Sequence, residues 1–124
     1  MKETTSAFLL RLSQGFDSTS LKTAIYFWDA IQAKCPGVPE PSACFHDDVG
    51  EDGIRGSVMF CWDTPSNHLE IDCRGEVAEW FWLELPSNKT DGEEGLSDLT
   101  DALISKLSMI ALMQLFGLDV NKRV

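Results

Sequence analysis

The chain predicts an α+β fold: two N-terminal helices, a three- to four-stranded antiparallel meander, and a long C-terminal helix packed on the sheet. Three observations carry this reading. Apolar residues recur at helical spacing before Lys34 and after Ser97, and they alternate with period two between Ser57 and Leu85. The polar stretches between these runs are rich in Gly, Pro, Asn and Asp, the residues that turns require. At 124 residues the expected organisation is a single domain, 1–124.

The elements follow in order. Residues 4–14 read as a short helix with Phe8, Leu9 and Leu12 on one face and Gly15 as a left-handed stop. Asp17 or Ser18 caps a second helix that runs to about Lys34, in which Leu21, Ala24, Ile25, Trp28 and Ile31 keep the i, i+3, i+4, i+7 rule. Pro36 ends it, because proline disfavours helical backbone in the residue before it. PGVPEPS is a stiff connector, residues 43–45 a short edge strand, and HDDVGEDGIRG a polar loop. Residues 57–62 form a strand of β-formers, followed by the turn DTPSN, where Pro65 presets φ. Residues 68–73 alternate cleanly, with Leu69, Ile71 and Cys73 on one face and His68, Glu70 and Asp72 on the other. Arg74-Gly75 makes a tight turn into the last expected strand, 77–85.

SNKTDGEEG reads as a loop, since it holds two glycines and no apolar alternation. Ser97 then caps the last helix, with Asp98 and Asp101 in the first turn, where carboxylates complement the helix dipole. Leu99, Leu103, Ile104, Leu107, Ile110 and Ala111 form its core stripe. Gly117 stands at the C′ position, with Leu118 placed to touch Met113.

Charge is distributed unevenly along this plan. Between Glu40 and Asp101 there are sixteen acids against Arg55, Arg74 and Lys89, a net of −13, while the remainder is +3 and the whole chain −10. An acidic strand region argues against direct contact with nucleic-acid phosphates. The apolar run 7–12 is interrupted by Arg11 and lacks the pattern of a signal peptide, and 103–118 is too short to span a bilayer. The expected setting is cytoplasmic, without membrane contact.

Apolar residues exceed what a single core face needs. Met109, Leu112, Met113, Leu115 and Phe116 widen the stripe of the last helix, and a helix apolar on more than one side is either wrapped or in contact with a partner. The strand EVAEWFW places Trp80 and Trp82 on one face and Val77, Phe81 and Leu83 on the other. Aromatics ringed by acids resemble the apolar core and polar rim of an interface. The expected protein-binding residues are therefore Trp80, Trp82, Met109, Met113 and Phe116. The expected acidic surface is Asp47, Asp48, Glu51, Asp52, Asp91, Glu93 and Glu94.

No catalytic constellation is legible. There is no G-x-S-x-G elbow beside His46 or His68, and GEDGIRG lacks the lysine and the strand–helix context of a phosphate loop. Cys35, Cys44 and His46 suggest a metal site only if a fourth ligand comes from Cys61, Cys73 or His68, and the spacing is not a zinc pattern. The cluster 47–52 lacks the ligand spacing of a calcium loop. The expectation is no catalytic residue, no metal and no cofactor. Cys61 and Cys73 are expected to be buried together with Met59, Leu69 and Ile71.

From Pro36 to Trp82 the chain resembles a diffuse group of small bacterial α+β proteins with no established activity. The matching parts are Trp28, PGVPEPS, EDGIRG, the strand end at Trp62, LEID and EVAEWFW; the apolar last helix departs from the pattern. The resemblance implies an accessory protein of mobile or defence-linked loci, in bacteria or phage, and thus partner binding. The expected function is a non-catalytic protein-binding module, antitoxin-like, immunity-like or a complex-assembly component. Its partner would be another protein or a second copy of itself. The alternative is an acidic nucleic-acid mimic that inhibits a DNA- or RNA-binding enzyme.

Overall fold

The computed structural model describes residues 3–15, 18–51, 53–117 and 120. Helices α1 (Thr5–Gly15) and α2 (Thr19–Lys34) precede strands β1 (Ser42–Val49), β2 (Arg55–Asp63), β3 (Asn67–Arg74), β4 (Val77–Glu84) and β5 (Lys89–Leu96), and α3 (Asp101–Leu115) closes the chain. The strands form one antiparallel sheet in the order β1-β2-β3-β4-β5. The α+β class and the meander stand as expected, with five strands in place of three or four.

Both corrections to the strand plan have identifiable physical causes. HDDV continues β1, and only the Gly50–Ile54 hairpin turns, closed by Gly50 N–H donating to Ile54 O at 3.0 Å. SNKTDGEEG is not a loop, because its glycines serve pairing. Gly92 lies opposite Phe81, and a Cβ there would stand 2.6 Å from Trp80 O. Only glycine lets the β5 backbone approach β4 this closely. The Glu93 carboxylate accepts from Trp80 Nε1 at 2.9 Å and also from Thr100 Oγ1, which ties β5 to the start of α3.

Capping sets the helix ends. Ser18 is the N-cap of α2; Asp17, the other expected cap, lies outside the described residues. Thr100 rather than Ser97 caps α3, accepting from Leu103 N–H at 3.2 Å, so Asp98 lies before the helix and Asp101 alone supplies an acid to its first turn. Gly117 takes the C′ position with φ 82°, while Leu118 falls outside the described residues.

The helices cover one face of the sheet. Leu21, Ala24, Phe27, Trp28 and Ile31 of α2 and Leu103, Leu107 and Ile110 of α3 meet Val58, Phe60, Trp62, Leu69, Ile71, Cys73, Ala78, Trp80 and Trp82 in one core cluster. Buried polar clamps fix the alignment of α2. Ser20 Oγ donates to Gly56 O at 2.8 Å and accepts from Gly75 N–H at 2.7 Å, and Thr23 Oγ1 donates to Gly75 O at 2.5 Å. Gly75, at φ 62°, forms the β3–β4 turn that these hydroxyls grip.

Candidate functional site: the open sheet face

Strand alternation sends half of the sheet's side chains toward the helices and the other half away from them. The pairing register places Met59 beside Cys44 and Asp72, Cys61 beside Ser42 and Glu70, and Asp63 beside His68. Across the next strand, Asp72 faces Glu79, Glu70 faces Phe81 and His68 faces Leu83. None of these residues belongs to the buried core that the helices form with the other face of the sheet. The result is an acidic row, Glu70 and Asp72 on the middle strand with Glu79 beside them, flanked by Met59 on β2 and by Phe81 and Leu83 on β4.

A shallow concavity of about 400 Å³ lies on this face, lined by Met59, Glu70, Asp72, Glu79, Phe81, Gly92 and Glu94 among others. The same Gly92 that admits β5 also leaves space beside Phe81. The carboxylates here are electrostatically strained. Burial pushes the Asp72 carboxyl above its ordinary value, and Glu70 adds to this; a Ser57 hydrogen bond, Arg74 and His46 pull it back. Asp72 Oδ1 is buried with no hydrogen-bond partner. Burial also raises Glu79, with Asp72, Glu94 and Glu70 repelling its charge. Like charges directly opposite on adjacent strands are destabilising, as Asp72 and Glu79 are here.

At one end of the face the imidazole of His68 is bracketed by acids. Its Nδ1 lies 2.5 Å from Asp63 Oδ1 and its Nε2 3.4 Å from Glu70 Oε2. Burial lowers the His68 pKa, but the hydrogen bonds and charges of Asp63 and Glu70 outweigh it and leave the group above its ordinary value. Cys61, His68 and Glu70 each offer one ligand-type atom, all within 4.8 Å of one another.

The sequence-derived site residues divide sharply. Trp80 and Trp82 are 3% and 1% exposed, so they belong to the core and cannot act as surface anchors. The reason is the register: with both faces of β4 apolar, the face carrying the larger rings is the one the helices cover. Met109 and Met113 are half-buried against the core, while Phe116 is exposed, together with Leu112 and Leu115. Asp47 pairs with Arg55 at 2.8 Å and Asp48 with Arg74 at 3.1 Å, so these two acids are partly neutralised. Glu51 is exposed in the β1–β2 turn, and Asp52 lies outside the described residues. Asp91 is exposed on the helix side, 4.0 Å from Lys106 Nζ, and Glu93 accepts from Trp80 Nε1. Of the expected acids, Glu93 and Glu94 line the concavity, and the expected Trp80 borders it as well.

The cysteines also differ from expectation. Cys73 is buried, and its burial pushes the thiol pKa up, but Cys61 sits with Met59 on the open face. The cysteine–histidine trio set aside above as a metal site is divided: Cys35 is buried on the helix side, while Cys44 Sγ and His46 Nε2 stand 3.4 Å apart on the open face. Sequence reasoning missed Met59, Phe81, Glu79 and the Cys61–His68–Glu70 grouping. The alternation in β2 and β3 carries that signal once a register is known. No helix among the described residues is long and apolar enough to cross a membrane. No protein-family model, no curated protein and no solved structure matches this chain.

Proposed function

We propose that this protein is a non-catalytic binding module whose open sheet face takes a basic, partly apolar segment of another protein. The observation that carries this reading is the concavity itself, with Met59 and Phe81 amid Glu70, Asp72, Glu79 and Glu94. Asp72 and Glu79 are held above their ordinary pKa values by burial and like charge. An inserted lysine or arginine relieves that repulsion and lays its methylenes on Phe81.

The sheet edges are less suited to partner pairing than the face. β5 carries Lys89, Asp91, Glu93 and Glu94, β1 carries Asp47 and Asp48, and the β1–β2 and β4–β5 ladders each contain a register shift. Charges and bulges of this kind disfavour strand addition. The nucleic-acid mimic is the weaker reading, because Asp47 and Asp48 already pair with arginines and the concavity sets Met59 and Phe81 beside its acids.

The test is co-purification from the organism that encodes the chain, in parallel with Phe81→Arg and Phe116→Glu variants. The reading expects one partner, recovered by wild type and Phe116→Glu and lost with Phe81→Arg, with binding weakened by salt. Recovery that survives Phe81→Arg and fails with Phe116→Glu would move the interface to the end of α3 and overturn the proposal.

A further inference from the structure

We propose that Cys61, His68 and Glu70 form a binding site for a borderline-soft divalent cation of the zinc class, with Asp63 orienting the imidazole. This goes beyond the binding-module reading and shares only Glu70 with its concavity, since Cys61 and His68 lie at the end of the open face near the β2–β3 turn. The geometry comes directly from the pairing. Cys61 and Glu70 are directly opposed on β2 and β3, and His68 stands two residues before Glu70 on the same strand face. Directly opposed pairs hold their Cβ atoms about 5 Å apart and diagonal pairs about 7–8 Å, within reach of an ion shared by longer side chains. The three donor atoms come within 4.8 Å of one another.

The donor set is chemically selective. Thiolate sulfur, imidazole nitrogen and one carboxylate oxygen suit zinc and its neighbours better than calcium or magnesium, which favour all-oxygen shells. Thiolate and carboxylate together supply two negative charges, which balance a divalent ion while His68 binds neutral. Binding releases the Cys61 thiol proton, and a second proton from Nε2 where the imidazole is charged. Asp63 Oδ1, 2.5 Å from Nδ1, accepts the remaining ring N–H and thereby directs Nε2 to the ion. A carboxylate behind a ligating histidine is the usual outer partner of such sites. Three protein ligands leave the fourth tetrahedral position to water or to a donor from a bound molecule.

The probes are Zn²⁺ and Co²⁺, added to chelator-treated, reduced protein. Competition with a chromophoric chelator should give one equivalent of Zn²⁺. Co²⁺ should show tetrahedral ligand-field bands and a thiolate-to-metal charge-transfer band. Cys61→Ser should abolish the charge-transfer band, and His68→Gln and Glu70→Gln should each lower affinity. Asp63→Asn should weaken binding by about 10–100-fold with the ligand-field pattern retained. Cys44→Ser should leave all of these unchanged, and far-ultraviolet circular dichroism should show every variant folded. The inference is overturned by the lack of stoichiometric binding, by a charge-transfer band that survives Cys61→Ser, or by a band lost with Cys44→Ser.

Discussion

Adjacent residues of β4 should respond to alanine in opposite ways. Trp82 is 1% exposed and Phe81 38% exposed, and they point to opposite faces of one strand. Trp82→Ala empties a large core volume, removes the 5.0 Å contact of Lys106 Nζ with the indole ring, and frees Glu84 from the Nε1 hydrogen bond. Truncation of a buried tryptophan costs about 3–5 kcal/mol. That is a large share of the ~5–15 kcal/mol that holds a domain folded. For a chain of this size the melting temperature should fall by on the order of 10–20 °C. Phe81 keeps over a third of its surface in water, so its truncation should cost about 1 kcal/mol, and the melting temperature should fall only by ~4 °C. Urea titration followed by far-ultraviolet circular dichroism measures both, because it does not depend on the tryptophan being removed. If Phe81→Ala proves as damaging as Trp82→Ala, the faces of β4 are reversed, and the open-face site falls with them.

Three further outcomes follow from the same register. In native, metal-free buffer, Cys44 and Cys61 should react with a thiol reagent well before Cys35 and Cys73, which are buried; four equal rates would contradict the burial. The Cys44 rate should climb at higher pH than for an ordinary thiol, because burial and then the charges of Asp72 and Glu70 raise its pKa. Glu79→Gln should raise stability near about pH 7, because a carboxyl whose folded pKa is raised contributes stability below its ordinary range and loses it as pH rises through the folded value. That advantage should vanish in acid, where the wild-type Glu79 is protonated, and thermal melts across pH with chelator present read the difference. Gly92→Ala places a Cβ 2.6 Å from Trp80 O and should cost about 1–3 kcal/mol, detectable as a lower urea midpoint; an unchanged midpoint would mean that β5 does not pair as described.

The elements whose signal is local are legible along the chain. The α2 helix, the clean alternation of 68–73, the DTPSN turn and the Gly117 stop are each written in adjacent residues and stand where periodicity and turn chemistry place them, although the buried face of α2 takes in Phe27 and leaves Ile25 half-buried. What depends on two distant segments at once was left to the tertiary structure. β5 has no apolar alternation of its own; it exists because Gly92 fits under Trp80 O and Glu93 meets Trp80 Nε1. The face that β4 turns to solvent was undecidable along the chain, since Trp80 and Trp82 on one side and Phe81 and Leu83 on the other are all apolar. Only the packing of α2 and α3 chose between them, burying the tryptophans and leaving Phe81 among the acids. Likewise Cys61 and His68 are unremarkable in sequence, and become neighbours only when the β2–β3 register sets Cys61 against Glu70. A period-two pattern specifies which residues share a face, but it takes a third element lying on the sheet to specify which face is inside.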